Sequence, residues 1–186
     1  MTFDFKNALP SDLVQEYNRI ANEIGDEQFF TKKELKHLPQ ILATGEQVLA
    51  FTSGHMGLNT WLITLTDRRI IFLDKGMIYG LKQISIDLDK VRSISGNTGI
   101  FFGKIEIEDG GDSKREIQYV RKKTVVAFTN KARDAMEARK HSFRASTPLV
   151  PAVDDAVTKL ERLATLLDKG ILSKEEFDQQ KRKLLS

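Results

Sequence analysis

The chain contains no cysteine. That excludes disulfides, thiolate nucleophiles and cysteine-ligated metals together. Histidine is scarce as well, and His37, His55 and His141 stand at no spacing that a zinc site uses. No apolar run approaches the roughly 18 residues of a membrane-spanning helix. The opening Met1-Thr2-Phe3-Asp4-Phe5-Lys6 has neither the basic stretch nor the apolar core of a secretory leader. These absences predict a cytoplasmic protein with no transmembrane segment, no bound metal and no cofactor.

What is present is a globular balance: 40% hydrophobic and 30% charged residues, as in ordinary water-soluble domains. A length of 186 residues accommodates one domain with extensions rather than two full domains. The net charge of +3 is unevenly spread, and residues 121–140 hold 7 basic against 2 acidic side chains. A locally basic helix can attract phosphate, so Lys122, Lys123, Lys131 and Arg133 are its candidate anion-binding residues. A solvated helix face accounts for the same run more simply.

Two helices are predicted in residues 1–44. Pro10-Ser11-Asp12 reads as a start, after which Leu13, Tyr17, Ile20 and Ile24 fall at helical spacing until Gly25. Thr31 with Glu34 has the pattern of a capping box, and Leu35, Leu38, Ile41 and Leu42 form the next apolar stripe, interrupted by Pro39. From Gly45 the period changes. Runs of β-branched and aromatic residues predict seven strands at 47–52, 61–66, 69–74, 81–87, 91–95, 100–108 and 115–120. Turns are expected between them, including Ser53-Gly54, Gly96-Asn97 and Asp109-Gly110-Gly111. With no helix between strands for parallel crossovers, the sheet is antiparallel and forms a sandwich or barrel. A helix over 124–140 presents Val125, Phe128, Ala132 and Met136 on one face and caps the strands.

Residues 141–154, with Pro148 and Pro151, lose periodicity and are expected to be a linker. The tail, 155–186, reads as a helical hairpin. Its first helix carries Leu160, Leu163, Leu166 and Leu167 and ends at Gly170. Ser173 and Glu176 then open a second helix, which bears Phe177, Leu184 and Leu185. The fold class is therefore α+β: N-terminal helices, seven antiparallel strands over about 45–140, one capping helix and a two-helix tail.

Chemistry-bearing constellations are few. Asp87 and Asp89, like Glu106 and Glu108, alternate with Leu88 and Ile107 and suit the wet face of half-buried strands. Gly96-Asn97-Thr98-Gly99 lacks the Gly-Lys-Ser/Thr continuation of a phosphate loop. Arg68-Arg69 sits at a hairpin turn, where solubility explains it. Phe101-Phe102 lacks the glycine and basic surroundings of an RNA-binding sheet. No nucleophile, base and orienting group assemble at motif spacing, so the chain is read as non-enzymatic.

Two stretches resemble known families. The run Trp61-Leu62-Ile63-Thr64-Leu65-Thr66-Asp67-Arg68-Arg69-Ile70-Ile71-Phe72-Leu73 is similar to the central hairpin of bacterial pleckstrin-homology-like domains. So is Ile84-Ser85-Ile86-Asp87-Leu88-Asp89-Lys90-Val91. The tail, from Leu160-Glu161-Arg162-Leu163 through Leu172-Ser173-Lys174-Glu175-Glu176-Phe177 to Lys183-Leu184-Leu185, resembles the short C-terminal domain that ends many bacterial proteins. The resemblance implies a seven-strand-plus-helix scaffold without catalytic residues, often oligomeric. In lipid-binding relatives basic side chains flank the loop between the first two strands. Here Ser53–Thr60 carries none, which removes the grounds for inheriting that site.

The expected function is a scaffold for protein association. The tail residues Leu160, Leu163, Leu167, Ile171, Leu172, Phe177 and Leu184 would meet a partner or a second copy, giving a homo-oligomer. The alternatives are contact with anionic membrane lipid through the basic helix and, more weakly, regulatory nucleic-acid binding through it.

Overall fold

The computed structural model describes residues 2–26, 31–76, 80–111, 113–146, 159–161, 163–167, 169 and 172–185. Its contacts divide into two units, Met1–Phe143 and Arg144–Ser186. In the first, helices α1 (Pro10–Ile24) and α2 (Lys32–Ile41) precede seven strands. These are β1 (Val48–Met56), β2 (Asn59–Thr66), β3 (Arg69–Lys75), β4 (Leu81–Asp87), β5 (Val91–Thr98), β6 (Phe102–Asp109) and β7 (Lys114–Arg121). Helix α3 (Lys122–Ser146) follows, and α4 (Lys174–Leu185) lies in the second unit.

All pairings are antiparallel, and the sheet order is β4-β3-β2-β1-β7-β6-β5. The two edge strands, β4 and β5, are consecutive in the chain and joined by a single 3-10 turn, Leu88–Lys90. The sheet must therefore curl until its edges approach each other, leaving an open corner rather than a hydrogen-bonded seam. Phe51, Leu62, Ile63, Leu65, Ile70 and Phe72 fill the interior. Val125, Phe128, Ala132 and Met136, the predicted stripe of α3, are all buried with them.

The N-terminal helices belong to the same core. Tyr17, Ile20 and Ile24 of α1 and Leu35 and Leu38 of α2 are buried, and Phe5 stacks on Tyr17, which meets Phe51 edge-on. Polar contacts fasten them: the Asp26 carboxylate accepts from Ser53 N at 3.1 Å, and Thr124 Oγ1 donates to Gly25 O at 3.0 Å. The predicted capping box at Thr31 does not form. Thr31 Oγ1 instead meets Ser53 Oγ at 2.7 Å, and Glu34 accepts from Lys75 N at 2.9 Å. Tertiary partners have taken both side chains that local capping would use. The other predicted box does form, with Ser173 N and Oγ both donating to Glu176 Oε2.

Two predicted turns prove to be strand interior. β1 runs through Ser53-Gly54 to Met56, and β5 runs through Gly96 to Thr98. Both glycines are there for close approach. A Cβ on Gly54 would lie 2.2 Å from Ile117 Cγ2 of β7, and one on Gly96 2.6 Å from Val125 Cγ1 of α3. Gly96→Leu is accordingly expected to lift the start of α3 and cost about 1–3 kcal/mol, read as a lower urea midpoint. An unchanged midpoint would mean that α3 is not seated on this floor. The predicted linker also starts late: α3 continues through His141 to Ser146, and residues 147–154 lie outside the described residues.

Candidate functional site

The basic residues of α3 do different jobs. Lys131 Nζ lies 2.5 Å from Glu23 Oε1 and 3.3 Å from Leu49 O, so it ties α1 to β1 and α3. The hydrogen bond from Lys131 is the main cause holding the Glu23 carboxyl below its ordinary value, against the opposing effect of burial. Arg133 Nη2 reaches Ile94 O at 3.4 Å. Lys122 and Lys123, by contrast, are exposed at the first turn of α3 beside exposed Arg121, and that turn contains no acidic residue. Of the four anion-binding candidates, the structure gathers these two and places the other two in contacts between elements.

Beside Arg121–Lys123 lies the β5–β6 hairpin tip. Expected to open a strand, Ile100 and Phe101 instead form the turn, closed by Gly99 N donating to Phe102 O at 2.8 Å. Ile100 is 83% exposed, Phe101 77% and Phe102 54%. Lys122 N donates to Phe101 O at 3.1 Å, which fixes the tip against the start of α3. Between them is a shallow hollow of about 350 Å³ lined by Gly25, Phe101, Phe102, Arg121, Lys122 and Lys123. Sequence reading missed this grouping, because an apolar run at a hairpin tip has the composition of a strand.

The β1–β2 connection, where lipid-binding relatives carry cations, is a two-residue turn at Gly57-Leu58 between the paired Met56 and Asn59. His55 lies within β1, where its Nε2 meets Thr60 Oγ1 at 3.3 Å and its ring packs edge-on against Tyr119. Tyr119 has φ 57° and sits where β7 carries an extra residue against β6. Such a bulge bends the strand, and a left-handed tyrosine costs roughly 1–2 kcal/mol.

Arg69, expected at a wet turn, begins β3 and forms a two-pronged ion pair with fully buried Glu46, at 2.9 and 2.8 Å. Its guanidinium also donates to Ile41 O at 3.0 Å. Glu46 accepts further from Ala43 N and Thr66 Oγ1, each at 2.8 Å. Burial would raise this carboxyl, yet the bonds from Arg69, Ala43 and Thr66 outweigh it and leave its pKa below 4.5. On the wet face of β6 and β7, Lys104 bridges Glu106 and Glu116 at 2.8 and 2.9 Å. Hydrogen bonds from Lys104 and Lys114 pull Glu106 down to about 2. Each charge is partly exposed and paired with its neighbours, which makes this a surface charge lattice rather than a reactive pair. Among the described residues no three His, Asp or Glu side chains group as a metal site would require. Among them, too, no helix is long and apolar enough to cross a membrane.

In the second unit, helical residues at 159–161 and 163–167 carry Leu160, Leu163 and Leu167, and Leu172 precedes α4 with Phe177 and Leu184. All six are half-buried, and none of the residues between 159 and 184 whose side chains are described is buried. Ile171 and Gly170 lie outside the described residues.

A curled seven-strand antiparallel sheet followed by one long helix defines a pleckstrin-homology-like, α+β protein. A family model described as "Bacterial PH domain" matches residues 42–134, and the chain belongs to that family. A second, "Short C-terminal domain", matches residues 158–185. Among solved structures, a pleckstrin homology domain from Shewanella amazonensis SB2B is similar at 19% identity and a TM-score of 0.42. The match covers 56% of this chain and 96% of that one. No curated protein matches the sequence.

Proposed function

We propose that this protein is a non-enzymatic scaffold whose C-terminal hairpin joins it to a second copy of itself. The observation that carries this reading is the state of the tail's apolar residues. Leu160, Leu163, Leu167, Leu172, Phe177 and Leu184 are half-buried, whereas the first unit holds Phe51, Phe72 and Phe128 fully buried. A hairpin of this size cannot cover its own leucines, and covering them drives association. Ile171, next to Leu172 in sequence, extends the same apolar set. The test is the solution mass of the full chain against a chain ending at residue 154. A mass near twice that of one chain, lost on truncation, supports the reading; equal single-chain masses would leave a different protein as the partner. Membrane contact or nucleic-acid binding along the whole basic helix is weaker, because Lys131 and Arg133 are engaged with Glu23 and Ile94.

A further inference from the structure

From the hairpin tip and the cations beside it, we infer a docking surface for an anionic lipid bilayer, separate from the tail. Ile100, Phe101 and Phe102 form three consecutive large apolar side chains, exposed together at the end of a hairpin. Scattered surface hydrophobes are common, but three in a row at a tip are not, and they add nothing to the core. Val126, a further exposed apolar residue, lies one turn along α3 from Lys122. Arg121, Lys122 and Lys123 rim the tip, and no acidic side chain lines the hollow between them.

Helix stability does not account for these cations. The start of a helix favours acidic side chains, and α3 has none in its first turn. An apolar wedge with a basic rim is complementary to a bilayer: the aromatics enter the boundary between headgroups and acyl chains while the cations meet phosphates. The shape agrees, because a projecting tip presses into a soft plane, whereas a peptide or protein hot spot calls for an enclosing pocket. The β1–β2 turn takes no part, since it offers no cation.

The probe is the full chain with sedimenting vesicles of phosphatidylcholine alone or containing 30% phosphatidylglycerol, at low and physiological salt. Binding should require the anionic lipid and weaken as salt rises. Phe101→Ser should reduce partitioning at least about tenfold through lost apolar burial. Lys122→Glu with Lys123→Glu should reduce it by more than about twentyfold, at about fivefold for each cation removed. Lys131→Ala should leave it unchanged. All these positions except Lys131 are exposed, and melting curves confirm that each variant is folded. No binding to anionic vesicles, or binding that Phe101→Ser leaves intact, would overturn the inference. So would salt-insensitive binding to phosphatidylcholine alone, or capture by an acidic peptide that vesicles do not displace. Truncation at residue 154 should leave vesicle partitioning of each single chain in place, so failure here and failure of the tail's association are told apart.

Discussion

Arg69→Met is expected to lower the unfolding free energy by about 3–5 kcal/mol, because it strands the Glu46 carboxylate in the interior. The pair does more than neutralise charge. Arg69 links β3 to Ile41 O at the end of α2, and Glu46 closes the turn from Ala43 and holds Thr66, so one ion pair joins helix, connection and hairpin. Adding Glu46→Leu to Arg69→Met should restore part of the loss by removing the stranded charge. Recovery stays incomplete, since Ala43 N loses its acceptor, at about 1–3 kcal/mol for a buried group left unpaired, whereas the Thr66 hydroxyl still reaches Arg69 O at 2.9 Å. Urea unfolding at pH 7 measures all three proteins. A loss below about 1 kcal/mol for Arg69→Met would place the pair with exposed bridges and refute this account.

The same pair has a signature in acid. The Glu46 carboxyl titrates below 4.5 in the folded protein, so its contribution is complete above 4.5. It is lost as pH falls through the lowered folded value. The difference in stability between the wild-type chain and Arg69→Met should therefore shrink as pH falls, starting above 4.5, where the stranded carboxyl of the variant takes up its proton, and continuing through the lowered wild-type value. A gap that widens on acidification would contradict the assignment.

Removing residues 155–186 is expected to abolish self-association while leaving the melting curve of the sheet within a few degrees of the full chain. The core of Met1–Phe143 contains Phe51, Phe72, Phe128 and the α1 and α2 stripes, and none of these comes from the tail. Burying one leucine contributes about 1.5–3 kcal/mol, so three or four on a shared face can offset part of the association entropy. Leu163→Asp should mimic the truncation, raising the dissociation constant at least about a hundredfold, because an unpaired carboxylate in that face costs several kcal/mol. Light scattering across a dilution series reads both changes. Sheet unfolding on truncation would instead mean that the tail is needed to fold its own chain.

Much of the sheet was legible because its strands follow one another through hairpins, each marked by alternation and turn residues. β4 falls at Leu81–Asp87 as predicted, and β3 differs only by Lys75. Gly54 and Gly96 misled for a common reason: a glycine that lets a backbone turn and one that lets two elements touch look the same in sequence. Thr31 and Glu34 misled because a local capping pattern cannot reveal that Ser53 and Lys75 will compete for its side chains. The candidate sites were legible only as composition. The basic run was visible, but its division into Lys122 and Lys123 beside an apolar tip, and Lys131 and Arg133 against Glu23 and Ile94, depends on helix phase and tertiary neighbours. The tail's apolar pattern was plain from residue spacing.

The strand order carries a kinetic consequence. Five of the six adjacencies in the sheet join strands consecutive in sequence, and β1 with β7 is the exception, registered at His55 and Gln118. Two meanders, β1–β4 and β5–β7, can each zip from short loops within microseconds to milliseconds, whereas their union must close nearly the whole domain at an entropic cost before any contact rewards it. That closing step is expected to be the slow one, and it passes through Gly54, where β1 lies against Ile117. A side chain there obstructs the last join rather than either half, so slow folding with preformed hairpins is the phenotype of damage at this seam.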